Sequence, residues 1–360
     1  MATDQDLVVE TVRDILSAFP PFVLTGDRRW DDGLWAALAE AGLTGVGLPE
    51  SSGGSGGELA DAVAIVRTLA AGAAAVPVAE QLLVAGPAVV AAGLPLPSPV
   101  EVLTFVVGED VVAHASDDGD GPGRFVLTGA ASGIPWAQQA SHVAVLASGP
   151  AGPVLALVAV GTTDISDDAN LAGEPRGYVS FDETPAVGAL LTPAQASELR
   201  ARFALARAVQ LSAALEQVLA WTVQYAGERH QFGRPLGKFQ AIQMELAEMA
   251  GEVTAVTALT DAAVQALERG SADGNTGDLG LAAAAAKVRA GAAVEVVARL
   301  AHQVHGAIGF TQEHKLHHLT RRLWSWRDEA GSELAWAPVL AAGLLADGPD
   351  GLWPALTRLL

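Results

Sequence analysis

Between two long helical stretches the chain carries Glu228-Arg229-His230-Gln231-Phe232-Gly233-Arg234-Pro235-Leu236-Gly237-Lys238-Phe239-Gln240. Arg229 is a fixed cation whose planar fork of donors matches a phosphate. Phe232 adds an aromatic ring, and Gly233 with Pro235 is expected to hold a stiff turn that aims the fork beforehand. The chemistry offered is the binding of an anionic cofactor. A second concentration lies further on, where His302, His305, His314, His317 and His318 crowd one region beside Glu313. His302-X-X-His305 has a spacing that could ligate a metal. Histidine pairs of this spacing are nevertheless common on polar helix faces, and nothing in the sequence would orient the rings as ligands, so no metal is expected. Arg321, Arg322 and Arg327, interleaved with Trp324 and Trp326, read as a packed, ion-paired helix with its tryptophans in a core or an interface.

Composition narrows the partners. The 360 residues, half of them hydrophobic, can bury a large core. Lys plus Arg number 21 against 41 Asp plus Glu, a net charge of -20, so the field of the whole chain repels nucleic acid and anionic membrane surfaces. An acidic chain that binds an anion must use a few well-placed cations, which raises the interest of each clustered arginine. Cysteine is absent, which excludes disulfides, thiolate nucleophiles and thiolate metal ligands. The acidic start, Met1-Ala2-Thr3-Asp4-Gln5-Asp6, lacks a charged-then-apolar export pattern, and no uncharged apolar run is long enough to span a bilayer. These features lead to the expectation of a cytoplasmic protein.

Three stretches are expected to position these residues: a helical part over 1–98, a β part over 99–190 and a helical bundle over 191–360. In the first, Trp35, Leu38, Leu43, Val46 and Leu48 form an apolar stripe leading into the Pro49–Gly54 loop, and Ala60–Ala75 has helical spacing. In the second, Val102–Val107, Arg124–Leu127, His142–Leu146, Val154–Val160 and Tyr178–Phe181 alternate with Gly, Asp and Pro clusters, as in a small antiparallel unit. In the third, Thr192-Pro193 is a polar cap followed by proline at the first helical position. Long helices follow from there, from Gln240 to about Glu268, from Leu281 to about Val304 and from Lys315 to Trp326. Arg269–Gly280 is expected as a loop, and the Ala-rich run at 282–286 as close helix packing. The connectors suit an antiparallel bundle.

The 228–240 run, the passage from the Trp35 helix through Leu48-Pro49-Glu50 to Gly53-Gly54, and Gln303-Val304-His305-Gly306-Ala307-Ile308-Gly309-Phe310 together resemble the acyl-CoA dehydrogenase family. An ordinary helix–helix turn could carry a surface arginine, but it would not account for agreement across three segments. The resemblance implies a fold that is mainly α with a small β domain: a helical N-terminal domain, an antiparallel β middle domain and a C-terminal four-helix bundle. It also implies FAD, shared across a subunit interface, with Arg229, Gln231, Phe232, Gln303 and Gly306 clamping a partner subunit's cofactor at its adenylate and pyrophosphate. Ala307 stands where relatives have a second glycine.

The remaining parts of the family pattern depart. Where active relatives back the flavin ring with Trp-X-Thr, this chain has Gly133 and Pro135, and the acidic, Pro- and Gly-rich flavin loop is not recognisable in Val106–Arg124. Relatives take the α-proton with a carboxylate about twenty residues after the Gly-Phe pair, where this chain has Ala330. Glu329 stands one residue early, an offset that swings a side chain by about 100° in a helix-like turn. The other family position for that base falls on Phe203 and Ala204. The resemblance therefore points to the base-lacking subunit of an actinobacterial heteromeric enzyme of the steroid side-chain type. It implies a partner subunit with the catalytic Glu, an acyl-CoA substrate and an electron-transfer flavoprotein as acceptor. Two other readings stay open: a homomeric enzyme using Glu329, and a non-enzymatic protein of the same fold.

Overall fold

A computed structural model describes residues 4–24, 29–116, 123–273, 277–346 and 348–358. The chain forms two units, Met1–Val66 with Ala74–Ala206 and Arg67–Ala73 with Arg207–Leu360.

In the first unit, helices α1 (Asp4–Ala18), α2 (Asp32–Glu40) and α3 (Leu59–Ala71, whose last residues belong to the second unit) precede a π-helical turn, Glu80–Ala85, that runs into α4 (Gly86–Ala91). The carboxylate of Asp31 accepts the Leu34 N–H at 3.1 Å and so caps α2, which buries Trp35 and Leu38 of the expected apolar stripe together with Leu34. Gln81 is the stitch between these helices and the β part. Its buried amide donates to Thr44 O and Pro99 O at 2.8 and 2.9 Å and accepts from Leu103 N at 2.9 Å.

Six strands follow, β1 (Val102–Ala115), β2 (Arg124–Pro135), β3 (Ala140–Ser148), β4 (Val154–Ala159), β5 (Asp164–Ser166) and β6 (Arg176–Leu190). They run in the order β2-β1-β3-β4-β6-β5, and β2 also pairs with β6, which closes a ring around Val111, Leu127, Ile134, Val145 and Val154. The pairings are antiparallel except β1 with β3, which is parallel because the intervening β2 serves as the crossover. Side-chain alternation is the same for either direction, so the sequence did not reveal this pair. Gly129 marks an irregularity in β2, where a Cβ would lie 2.0 Å from Asp110 O of β1; only glycine permits that approach.

Helix α5 (Pro193–Glu228) opens with a reciprocal cap. Thr192 Oγ accepts the Gln195 N–H at 3.2 Å, while Gln195 Oε1 accepts the Thr192 N–H at 2.9 Å. In the second unit the rest of α5 joins α6 (Gln240–Asp273), α7 (Gly277–His305) and α8 (Leu316–Asp328) around Leu211, Leu215, Met249, Val253, Val294, Val297, Leu319 and Trp326. The expected 269–280 loop is corrected: helix runs to Asp273 and resumes at Gly277, with 274–276 outside the described residues. The weak helix preference of Gly and Asp, under about 1 kcal/mol each, yields here to packing along α6 and α7. Ala282–Ala286 are all buried, as close helix packing requires. Helices α9 (Glu333–Leu345) and α10 (Leu352–Arg358) end the chain. Leu334–Ala346 carries no charge, yet no residue of α9 is fully buried.

Replacing Gln81 by Leu strands two carbonyls and one N–H in the interior. The chain should lose about 2–4 kcal/mol, read as a lower midpoint in urea denaturation.

Candidate cofactor-binding site

Helix α5 stops at Glu228, and the chain turns back through a two-strand ribbon, β7 (His230–Gln231) and β8 (Arg234–Pro235), with Gln231 opposite Arg234. Both central residues have positive φ, +51° at Phe232 and +81° at Gly233, so this is a two-residue hairpin turn of the mirror-image kind that matches strand twist. The turn is thus centred on Phe232-Gly233, while Pro235 sits in the ribbon. Glycine adopts such a φ freely; a bulky residue there costs about 1–2 kcal/mol. Phe232 accepts that strain although its side chain is 93% exposed. Its ring meets only the edge of Phe239 at 6.3 Å, and Phe239 in turn carries the Arg234 guanidinium at 4.1 Å.

Arg229 is anchored by its backbone: its N–H donates to Tyr225 O and its carbonyl accepts from Leu236 N, both at 2.8 Å. Its exposed guanidinium pairs with no carboxylate among the described residues. Gln231 is exposed beside it.

The second segment begins in the last turn of α7. Gln303 and Gly306 are exposed, and Gly306 has φ +63° with nothing within 4 Å of where a Cβ would stand. Ligand atoms can therefore approach that backbone closely. Phe310, at the end of the short turn Gly306–Phe310, is 75% exposed.

The two segments meet through residues that sequence reasoning did not place in the site. The Tyr225 ring stacks on His305 with centroids 4.5 Å apart and an interplanar angle of 23°, and His314 closes on His305 at 4.7 Å. Tyr225 lies one helical turn before Arg229, and His305 lies between Gln303 and Gly306. The available signal was that four-residue spacing in an α5 already read as helical. The histidines serve as stacking partners. His305 Nδ1 bonds Ala301 O at 2.7 Å, His302 stacks on Phe310 at 4.5 Å, and His302 Nε2 lies 3.1 Å from Thr320 Oγ1. Among the described residues no group of three or more His, Asp or Glu side chains could hold a metal ion. Burial lowers the pKa of His302, His305 and His314, and it takes His318 down to about 4 with help from His317, Arg322 and Arg321. In α8, Trp326 is core, Arg322 bonds His318 O at 2.9 Å and Arg327 lies over Trp324 at 5.3 Å.

Glu329 and Ala330 follow α8 directly. Glu329 Oε2 lies 2.8 Å from Nε of the buried Arg207, whose Nη1 donates to Gln210 at 2.6 Å. Ala330 and Gly331 have φ +55° and +88°. Their turn is fastened from three sides: Lys287 Nζ donates to Arg327 O and Gly331 O at 2.6 Å each, and Trp336 Nε1 donates to Ala330 O at 2.7 Å. Arg327 also binds Glu333 at 2.6 Å. Burial pushes Lys287 down to about 8, against the pull of Glu333. Glu329, next to the family base position, is committed to a guanidinium. In the first unit, Phe203 packs edge-on against Phe105 at 5.2 Å.

Gly133 (φ +66°) presents no side chain, and Pro135 O is occupied by the Thr104 hydroxyl at 2.6 Å. The neighbouring Trp136 is buried with Leu24 and Ala75, and Arg176, itself paired with Glu174 at 3.1 Å, stands 5.9 Å from its ring centroid. The unrecognised flavin loop of Val106–Arg124 lies partly outside the described residues, at 117–122. No helix among the described residues is long and apolar enough to cross a membrane.

Comparison with known proteins places this geometry. Residues 2–94 match the acyl-CoA dehydrogenase N-terminal domain and residues 196–333 the acyl-CoA dehydrogenase C-terminal domain. The chain is 33% identical over 301 residues to acyl-CoA dehydrogenase FadE34 of Mycobacterium tuberculosis, covering 80% of this chain and only 39% of that protein. It is 30% identical over 314 residues to FadE27 of the same organism, covering 81% and 82%. Among solved structures, the ChsE4-ChsE5 complex from Mycobacterium tuberculosis aligns with a TM-score of 0.82 and 26% identity over 97% of this chain and 99% of that one. A Tcur3481-Tcur3483 steroid ACAD variant aligns with a TM-score of 0.84 and 26% identity over 98% and 99%.

The lowered histidines set an acid limit. As pH falls below the ordinary histidine value of 6.5, the unfolded chain binds protons that the folded chain refuses, so stability present above that value is lost as pH falls toward about 4. Thermal midpoints measured across this range should fall steadily, and the slope should lessen in His318→Phe. A flat profile would show that the rings are already solvated.

Proposed function

Because the chain belongs to the acyl-CoA dehydrogenase family, we propose that it is the accessory subunit of a heteromeric FAD-dependent acyl-CoA dehydrogenase, lending an adenylate and pyrophosphate clamp to a partner that carries the catalytic carboxylate. One observation carries this reading: an exposed guanidinium without a carboxylate, Arg229, beside a strained and exposed phenylalanine on a rigid hairpin. Strain retained at a position that packs against so little of its own chain is a mark of a binding device.

The residues suit one end of the dinucleotide and not the other. Arg229 would neutralise and orient a phosphate, Gln231 and Gln303 would bond polar edges of the adenylate, Phe232 would shield it from water, and Gly306 would let backbone come close. The ring end finds Gly133 and Pro135, which have neither a face to pack nor a hydrogen to donate. When bound, the flavin accepts hydride from the acyl β-carbon. The matching α-proton needs a carboxylate within reach of Cα. Glu329 faces Arg207 instead, so the base belongs to the partner subunit, and this chain alone is inactive. The uncharged, exposed face of α9 also suits a chain that works in company. An acyl-CoA thioester is the substrate and an electron-transfer flavoprotein the acceptor. The steroid description of one structural relative favours a bulky, steroid-derived acyl group.

A homomeric enzyme using Glu329 would need that carboxylate released from Arg207, and a non-enzymatic protein of this fold would hold no flavin in any company. The visible spectrum separates the three. The chain purified alone should be colourless, and co-purified with its acyl-CoA dehydrogenase-like partner it should be yellow. In the assembled enzyme, Arg229→Ala should weaken FAD about ten- to a hundredfold, the worth of a charge-assisted bond. Glu329→Gln should leave turnover within about twofold. Yellow, active protein from this chain alone, with activity abolished in Glu329→Gln, would overturn the proposal.

A further inference from the structure

We propose that Tyr225 and His305 are positioning residues that join the two arms of the clamp, so that the Arg229 hairpin and the Gln303–Gly306 turn engage one dinucleotide as a single body. This inference rests on the reading above. Neither ring is placed to touch the cofactor itself; each stands behind an arm. Tyr225 is one turn upstream of Arg229 and accepts the Arg229 N–H through its own carbonyl at 2.8 Å. His305 precedes Gly306 directly and lies two residues after Gln303. The 4.5 Å, near-parallel stack therefore fixes the end of α5 against the end of α7 at the point where both arms begin.

Other contacts indicate that the joint is built to hold. His314, beyond the Gly306–Phe310 turn, packs on His305 at 4.7 Å and on the edge of Tyr225 at 6.3 Å, which encloses the ring pair from the far side of that turn. One helical turn before Tyr225, Trp221 receives the Lys315 ammonium over its ring at 4.4 Å, a second fastening between α5 and the segment leading into α8. His305 is buried, and its Nδ1 is committed to Ala301 O, which fixes the ring plane. Two flat rings with locked planes transmit orientation in a way that a pair of flexible aliphatic side chains would not.

The energetic consequence is specific. If the arms are pre-aligned, the ordering of each is settled in the folded chain and does not oppose binding. Without the stack, the first arm to bind no longer presents the second, and the contributions of the two arms separate. Coupling of this kind is read by a double-mutant cycle.

The test uses the co-expressed heteromeric holoenzyme, stripped of flavin and titrated with FAD, the dissociation constant being read from flavin fluorescence. Tyr225→Ala and His305→Ala should each weaken FAD about tenfold, while Tyr225→Phe, which keeps a flat ring, should stay within about twofold. Gln303→Ala should cost less in the Tyr225→Ala background than in the wild type. Tyr225→Leu covers the case in which Tyr225→Ala fails to fold, since it fills volume without a ring, and it too should weaken FAD. Wild-type affinity in the ringless variants, or strictly additive costs in the cycle, would overturn the proposal. Arg229→Ala is the control that separates the layers. If it leaves FAD binding intact, the clamp reading itself fails; if it weakens FAD while the ringless variants do not, only the joint fails.

Discussion

A guanidinium can serve a ligand only if its own chain leaves it free, and in a chain with 41 acidic residues against 21 basic ones that freedom has to be arranged. Six other arginines show the ordinary outcome. Arg29 pairs with Asp167, Arg67 with Asp261, Arg176 with Glu174, Arg207 with Glu329, Arg289 with Glu252 and Arg327 with Glu333. Arg234, in the same hairpin as Arg229, lies on an aromatic face. Arg229 escapes because it leaves the helix at the start of a ribbon too short to fold back on an acidic surface. The mirror-image turn then points the ribbon outward, with Phe232 held in a conformation that its own contacts do not repay.

The same competition holds around Glu329. The glutamate after α8 and the adjoining turn of alanine and glycine could each have stayed loose. Instead, the turn's carbonyls are taken by Lys287 and Trp336, and the glutamate by Arg207. Breaking such a buried pair by removing one member costs about 3–5 kcal/mol, which makes the arrangement part of the folded structure and not a resting pose. In the β unit, Trp136 is turned inward against Leu24 and Ala75, leaving Gly133 bare. In both places side chains are taken up in pairing and packing.

The sequence showed this unevenly, for identifiable reasons. The α5 cap was legible because Thr192, Pro193 and Gln195 are local partners, and the Ala282–Ala286 packing because size alone decides it. The continuation of helix toward Asp273 was not, since four glycines and two aspartates in 269–280 outvote any local rule, and only contact along α7 reverses them. The parallel β1–β3 pair was hidden because alternation carries no direction. In the candidate site, Arg229, Gln231, Phe232, Gln303 and Gly306 were nameable by resemblance, but the geometry around them was not. The positive φ of Phe232, the Tyr225–His305 contact and the grip of Arg207 on Glu329 all join residues whose relation appears only when helices far apart in sequence lie side by side.

The ring formed when β2 pairs with β6 has a further consequence for how the polypeptide meets others. Closure is partial: β1 meets β2 only over Val111–Ala115, so Val102–Val107 and Ala130–Pro135 each keep one edge without a strand partner among the described residues, and a foreign extended segment could add there.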